Sequence, residues 1–264
     1  MAAFKPQPTI TVYRGFPFKS AYVWSPFVTK LEARLRFAGV SYKTEAGSLK
    51  SAPRGKVPYI AISKNEGETP QFLSDSHLIS QQLSEEGILP DLNANLTPVQ
   101  RVHDTALRAL LEEKLYFYQN YERWLDNFYT MRDRGPLAPI PWLIRVIIGW
   151  FVWRKINTGL YSQGTGRFNS DEINAFRQEV WENINVLLTE AQRTASSSDK
   201  VFWVFGGSEP TEADTTLFGF IASNLVCAAG PETQRTIRSF PAVIDYARRI
   251  HQTYFPDYES PAWE

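Results

Sequence analysis

The chain has 264 residues, 43% of them hydrophobic, and its 28 basic and 28 acidic side chains cancel to a net charge of zero. The length allows two domains with a sizeable core, and the charge balance gives no footprint for nucleic acid. The single cysteine, Cys227, excludes an internal disulfide and leaves no thiolate metal site, as expected in a reducing compartment.

Met1 to Pro6 has neither the apolar core of a signal peptide nor the arginine-rich pattern of a transit peptide, so a cytoplasmic location is expected. Thr9-Ile10-Thr11-Val12-Tyr13 alternates β-branched and aromatic residues and ends in the turn-forming Arg14-Gly15-Phe16-Pro17, which predicts a first strand. From Ser25 onward, Val28, Leu31, Leu35 and Ala38 recur at helical spacing, with Lys30, Glu32, Arg34 and Arg36 on the other faces. Ser25 is a natural N-cap there, and Pro26 suits a first turn whose amide has no bond to lose. Gly39 stops this helix, and Val40 to Thr44 predicts a second strand, parallel to the first through the crossover. Val57 to Ile62 is an apolar run too short for a helix, and its Pro58 belongs at a strand start or edge. Asn65-Glu66-Gly67-Glu68 predicts a hairpin turn and Phe72-Leu73 the returning strand. Ser74-Asp75-Ser76 then opens a helix with Leu78, Ile79 and Leu83 on its packed face, closed by Gly87 to Asp91.

Beyond Asp91 the chain reads as helix. Val99, Val102, Ala106, Leu110, Leu115 and Tyr118 predict one packed face, and Ile173, Phe176, Val180, Ile184, Leu187, Leu188 and Ala191 another. Pro136 to Trp153 is apolar but broken by Arg145 and preceded by prolines; its uninterrupted part, Val146 to Trp153, falls far short of the roughly 20 residues a span needs. It predicts a buried helix and no membrane contact. Asn169 with Glu172, and Thr211 with Asp214, have the spacing of capping boxes, the second ahead of the apolar Leu217, Phe218, Phe220 and Ile221. Ala195 to Lys200 predicts an exposed loop, and Cys227, on an apolar helix, an inert core thiol. His77, His103 and His251 lack metal-ligand spacing, so no metal is expected, and Gly164-Thr165-Gly166, without a preceding strand or a Lys-Ser, predicts a loop between helices.

The order of these pieces, with Ser25-Pro26-Phe27, Lys30-Leu31-Glu32, Gly55-Lys56-Val57-Pro58, Ser74-Asp75-Ser76 and Gly164-Thr165-Gly166-Arg167, resembles the glutathione transferase superfamily, and within it the failed-axon-connections branch related to the metaxins. The likeness covers nearly the whole chain. It implies a thioredoxin-like α/β N-terminal domain over residues 1–88, followed by an all-α helical bundle over residues 98–264 that contributes the acceptor pocket. Glutathione is the implied co-substrate and a small apolar electrophile the implied partner; a homodimer stays open.

The same resemblance implies the site. Ser25 stands where the family carries its catalytic serine or cysteine, although alone it reads as a helix cap. A glutathione thiol resembles cysteine, so favouring thiolate near neutral pH requires roughly 1.4–2.7 kcal/mol. A hydroxyl hydrogen bond to that anion contributes about 1.5–3 kcal/mol and the helix dipole only about 0.3–1, which makes the hydroxyl the larger effect. A cis Val57-Pro58 bond turns the Val57 backbone toward the cysteinyl part of glutathione, as an added strand. Lys56 is a candidate partner for the glycyl carboxylate, with a solvated lysine as the alternative. Asp75 pairs with the γ-glutamyl amino group and Ser76 receives its carboxylate at a helix N-terminus; the alternative is an ordinary cap. Tyr13 is the rival thiol activator, although its place in the strand pattern favours a packed aromatic. Tyr22, Trp24 and Phe27 around Ser25, with Tyr116, Tyr118 and Tyr121, and beyond them Trp124 and Phe128, are the candidate acceptor-pocket residues; their spacing suits core packing equally. Three functions compete: a detoxifying glutathione transferase, a glutathione-dependent isomerase or lyase of secondary metabolism using the same thiolate, and a non-catalytic adaptor of the metaxin kind.

Overall fold

The computed structural model describes residues 8–64, 67–195 and 200–263. In strand β1 (Thr9–Tyr13), Ile10 and Val12 are buried together, as alternation along a strand requires. Helix α1 (Pro26–Phe37) carries the chain to strand β2 (Lys43–Glu45), which pairs parallel with β1, Thr11 beside Lys43. β2 begins later than Val40 because that residue is used to end the helix. Gly39, at φ +66°, donates to the Arg36 carbonyl at 3.0 Å and Val40 to the Leu35 carbonyl at 2.9 Å, the two bonds of a glycine-based helix stop. Strands β3 (Tyr59–Ser63) and β4 (Gln71–Ser74) add antiparallel, giving the order β2-β1-β3-β4. β3 starts just after Pro58, which has no N–H for the ladder. Asn65 and Glu66 of the expected hairpin turn, Met1 to Pro6, and Ser196 to Asp199 of the serine-rich loop lie outside the described residues.

Helix α2 (Ser76–Glu85) packs beside α1, and Leu31 and Leu35 meet Ile10, Val12, Ile60, Ile62, Ile79 and Leu83 in one core. Leu78 departs from the expected face and is exposed. This is a thioredoxin-like α/β domain, and the second part of the chain is helical. Helix α3 (Pro98–Ala109) continues through a π-helical stretch, Leu110–Leu115, into α4 (Tyr116–Tyr121), and through another, Glu122–Asp126, toward α5 (Phe128–Arg134). Then come α6 (Trp142–Gln163), α7 (Ser170–Thr194), α8 (Glu212–Leu225), α9 (Pro231–Arg238) and α10 (Pro241–Tyr254). Gly164 to Arg167 forms the expected loop between helices, with a 3-10 turn after a left-handed Gly164 at φ +110°. α7, α8 and α10 share the largest core around Trp181, Leu188, Leu217, Phe218 and Tyr246.

Both capping boxes form. Asn169 and Glu172 exchange hydrogen bonds at 2.9 and 3.0 Å. Asp214 accepts from the Thr211 N–H and hydroxyl, both at 2.8 Å, and its other oxygen takes the Val204 N–H and the Tyr246 hydroxyl, both at 2.9 Å. The box therefore also ties the preceding loop and α10 to the start of α8.

Local pattern does not decide which side of a helix is packed, as α1, α3 and the apolar segment after Pro136 each show. Lys30, Glu32 and Arg34 are buried, not solvated, because α1 is covered by the sheet on one side and α8 on the other. Each is paired: Lys30 with Glu112, Arg34 with Glu212 at 2.6 Å, and Glu32 with Arg14 at 3.1 Å and the Tyr258 hydroxyl at 2.8 Å. On α3, Val99, Val102 and Ala106 are exposed, and the inward face runs through Asp104 and Leu107, then Leu111 and Leu115. Asp104 turns inward because its carboxylate accepts the Ala213 N–H at 2.8 Å, capping α8 from another element. The apolar segment forms α6, but it is not buried. Along α6 only Gly149, seated on Arg132, and Leu160 are fully buried, while Val152, Trp153 and Ile156 are half-buried on the same side.

α1 and α8 touch at backbone distance. A methyl on Gly219 would stand 2.6 Å from the Pro26 carbonyl oxygen and 2.8 Å from the Lys30 nitrogen. Gly219→Ala is expected to lower stability by about 1–2 kcal/mol in urea titration, despite the better helix propensity of alanine. Gly159→Ala in α6, where nothing lies within 4 Å, is expected to raise it by up to about 1 kcal/mol.

The C-terminal segment is strapped to α1 by Arg36, which bonds Asp257 at 2.9 Å through Nη2 and the Tyr254 carbonyl at 2.8 Å. The Arg36 hydrogen bond holds the Asp257 carboxyl below its ordinary range. A depressed carboxylate contributes stability above its unfolded pKa and loses it as pH falls through the folded value, so this contribution is expected to start falling near pH 4 and to shrink as the pH drops further. Because the carboxylate is half-exposed it amounts to less than about 1 kcal/mol. Urea titrations from pH 7 to pH 3 on wild type and Asp257→Asn should converge at the acid end.

Candidate functional site

Strand register gathers the singled-out residues at one end of the sheet. Tyr13 pairs with Tyr59, and Tyr59 with Ser74. The residues beyond those pairs, Arg14-Gly15 after β1, Val57-Pro58 before β3 and Asp75-Ser76 after β4, therefore emerge side by side. Ser25, at the start of α1, completes the set. The Val57-Pro58 peptide is cis, and Gly15, at φ +76°, lets Val57 approach so closely that a Cβ there would lie 3.1 Å from its methyl.

Ser25 is half-buried with extended backbone, and its hydroxyl makes no capping hydrogen bond to α1. It stands on the wall of a cleft of about 160 Å³ between the sheet end and the helices. Phe16, Trp24, Leu49, Val57, Tyr116, Trp124, Met131 and Pro136 supply its apolar lining, and Asn120 and Arg123 its polar groups. Arg123 is almost fully buried and donates to the Trp24 carbonyl at 2.9 Å and to Asn224 Oδ1 at 2.7 Å. It thereby fixes the peptide just before Ser25 to α8. Its Nε has no partner, so a buried cation with donor capacity lies beside the serine.

Asp75, unlike Ser25, is used as a cap. It holds φ +78°, a conformation rare outside glycine, and one oxygen accepts the His77 and Leu78 N–H groups at 3.0 and 3.2 Å, capping α2. Ser76 is buried in the first turn. Lys56 is exposed and does not reach the cleft.

Of the six aromatic pocket candidates the cleft takes Trp24 and Tyr116, together with Trp124 from the wider cluster. Tyr22 is buried in the large core, its hydroxyl 2.8 Å from His251 Nδ1 and its pKa pushed far up by burial. Phe27 packs edge-on against Tyr116 and Phe220, and Tyr118 lies against Phe176. Tyr121 is half-buried away from the cleft. The cleft-facing residues Tyr116, Asn120, Arg123 and Trp124 sit at i, i+4, i+7 and i+8, one helical face, from which Tyr118 and Tyr121 are excluded. That spacing was present in the sequence; aromatic content alone pointed to the wrong neighbours. Phe16, Leu49, Met131 and Pro136 carried no local signal, because they come from three separate stretches, Met131 and Pro136 both from α5 and the turn after it.

Tyr13 is stacked on Tyr59, ring centroids 4.4 Å apart, and burial followed by the Glu45 charge raises its pKa. It does not line the cleft. Cys227 is fully buried, and burial raises its thiol pKa. Among the described residues, no group of three or more His, Cys, Asp or Glu side chains is arranged to hold a metal ion.

Residues 26–129 match the family model described as the glutathione S-transferase N-terminal domain. The chain is 25% identical over 261 residues to isoprene-epoxide glutathione S-transferase of Rhodococcus sp. (strain AD45), spanning 93% of this chain and 99% of that one. It is 24% identical over 212 residues to metaxin-2 of Mus musculus, spanning 78% and 73%. Among solved structures, glutathione transferase GSTFuA3 from Phanerochaete chrysosporium superposes with a TM-score of 0.58 at 18% identity, covering 96% of this chain and 98% of that one, a likeness of fold.

Arg123→Met removes both donors from Trp24 and Asn224, and is expected to cost about 2–3 kcal/mol of stability in urea titration. Arg123→Lys should recover part of the loss by restoring one bond.

Proposed function

The chain belongs to the glutathione S-transferase superfamily, with a metaxin-like relationship, and from that premise we propose that it is a glutathione S-transferase that activates the thiol through Ser25. One observation carries the reading: the Ser25 hydroxyl, at a helix start, is not used as a cap and stands on the wall of an apolar cleft. In this reading Ser25 donates its hydroxyl hydrogen to the sulfur, the thiol proton leaves to solvent, and the thiolate attacks the electrophile. Serine forms no covalent bond. The Val57 backbone pairs with the cysteinyl unit, Asp75 with the γ-glutamyl ammonium, Ser76 with its carboxylate, and Lys56 with the glycyl carboxylate from the rim. Arg123 adds a buried positive charge favouring the anion.

The electrophile is small and apolar, held among Phe16, Trp24, Tyr116, Trp124 and Met131. The isoprene-epoxide transferase relative supports an epoxide. The sulfur–carbon bond then forms as the carbon–oxygen bond breaks, and the alkoxide takes a proton from water. An adaptor without chemistry is the second reading, favoured by the metaxin-2 likeness. The division into residues 1–88 and 98–264, and a glutathione-rich cytoplasmic setting, belong to the same proposal.

Retention on immobilised glutathione with elution by S-hexylglutathione is expected; failure to bind would leave the adaptor reading. Ser25→Ala should leave glutathione affinity nearly unchanged while reducing conjugation at neutral pH roughly 10–100-fold, moving the rise of the pH–rate profile to higher pH. Ser25→Cys should gain deglutathionylation, because a thiol at that helix start forms a mixed disulfide where a hydroxyl cannot. Full activity in Ser25→Ala would sink the serine assignment.

A further inference from the structure

Among the described residues, α6 leaves one apolar face without a partner. Leu143, Ile144, Ile147, Trp150 and Phe151 fall on one side of the helix, with Trp142 at its leading end, and these six side chains are 49–72% exposed. Gly149 and Leu160, its buried residues, lie on the opposite side. At 22 residues the helix is about 33 Å long, so the face is an extended strip and not an isolated exposed residue.

The charge of this region departs from the rest of the chain. From Arg134 to Ser170 there are five basic residues, Arg134, Arg145, Arg154, Lys155 and Arg167, and no Asp or Glu, in a chain whose net charge is zero. Of the acidic groups on neighbouring elements, Asp133 of α5 is engaged by Arg132 and Arg145, and Asp126 accepts the Ser170 hydroxyl. Arg154 and Lys155 are exposed beside the apolar strip and enter no ion pair among the described residues, Arg154 resting 5.7 Å over the Trp150 ring. Further along, exposed Tyr161 carries Arg167 at 5.1 Å.

We propose that this face of α6 docks the protein on the surface of an anionic lipid bilayer. Tryptophan, tyrosine and aliphatic side chains beside unpaired cations are the chemistry of a helix lying in the headgroup region. The helix lies on the membrane and does not cross it: no helix among the described residues is long and apolar enough to span. Anionic headgroups match the cationic strip, whereas a second copy docked face to face would set this acid-free region against itself. The proposal does not depend on the chemistry at Ser25.

The test is co-sedimentation of the full chain with vesicles of phosphatidylcholine alone or mixed with phosphatidylserine. Binding is expected to the mixed vesicles, and to weaken with salt. Ile147→Asp, at an exposed position that leaves the fold intact by circular dichroism, should abolish it; Arg154→Gln with Lys155→Gln should weaken it about 30-fold. On the unaltered protein, brominated phosphatidylserine should quench tryptophan fluorescence, and Trp150→Phe should reduce that quenching. No binding to either vesicle, binding indifferent to these variants, or an Ile147→Asp-sensitive dimer in sedimentation equilibrium without vesicle binding would each overturn the proposal, the last assigning the face to a second copy.

Discussion

The structure depends on how α1 is held. It lies between the sheet and α8 with no free side, and its charged residues are the fastenings. Lys30 reaches Glu112 on the π-helical continuation of α3, Arg34 reaches Glu212 at the start of α8, and Glu32 takes Arg14 and Tyr258. Buried pairs of this kind add little net stability relative to apolar residues of the same shape, but they penalise any packing that separates the partners. They specify one docking of the α/β domain on the helices. Gly219 sets its distance, since only a residue without a side chain lets the first turn of α1 rest on α8.

The cleft inherits its geometry from that docking. Ser25 is the residue before α1, so whatever fixes the first turn fixes the hydroxyl. Arg123 makes the attachment explicit by binding the Trp24 carbonyl on one side and Asn224 of α8 on the other. The cleft is thus shared: the sheet end supplies Gly15 and Val57, and the helices supply Tyr116, Asn120, Arg123 and Trp124. The cleft lies where the sheet end meets the helices, so neither part of the chain forms it alone.

α6 stands apart from this arrangement. The other long helices bury a continuous stripe, whereas α6 rests on the molecule through one side, with Gly149, Val152, Trp153, Ile156 and Leu160, and leaves Trp142 and Trp150 exposed. Exposed apolar area on that scale is costly in water unless something covers it. Arg154 and Lys155, which enter no ion pair among the described residues, match the anionic cover proposed for it.

Much of this protein is decided by local chemistry and is readable from the residues in order. The alternation of β1, the Ser25-Pro26 start and Gly39 stop of α1, the two capping boxes and the stripe of α7 are all set by contacts within about four residues, and the structure contains them. The helix start at Ser25, the strand start at Pro58 and the helix start at Asp75-Ser76 were legible as local signals, but that they belong together came from the family resemblance and from the fold, which sets Arg14-Gly15, Val57-Pro58 and Asp75-Ser76 at one end of the sheet. Which face of each helix turns inward is a different matter, settled by long-range packing. Asp104 faces the core because it caps the N-terminus of α8, and the charges of α1 are buried because they meet partners on other elements, Glu112, Glu212 and Tyr258 lying 82, 178 and 226 residues away in the chain. Tyr116 lines the cleft because it shares a helical face with Asn120, Arg123 and Trp124, a spacing that counting aromatics overlooks and that separates it from Tyr118. An apolar run states that a segment avoids water, but whether the protein itself supplies the cover depends on what packs against it, and for α6 the fold supplies very little.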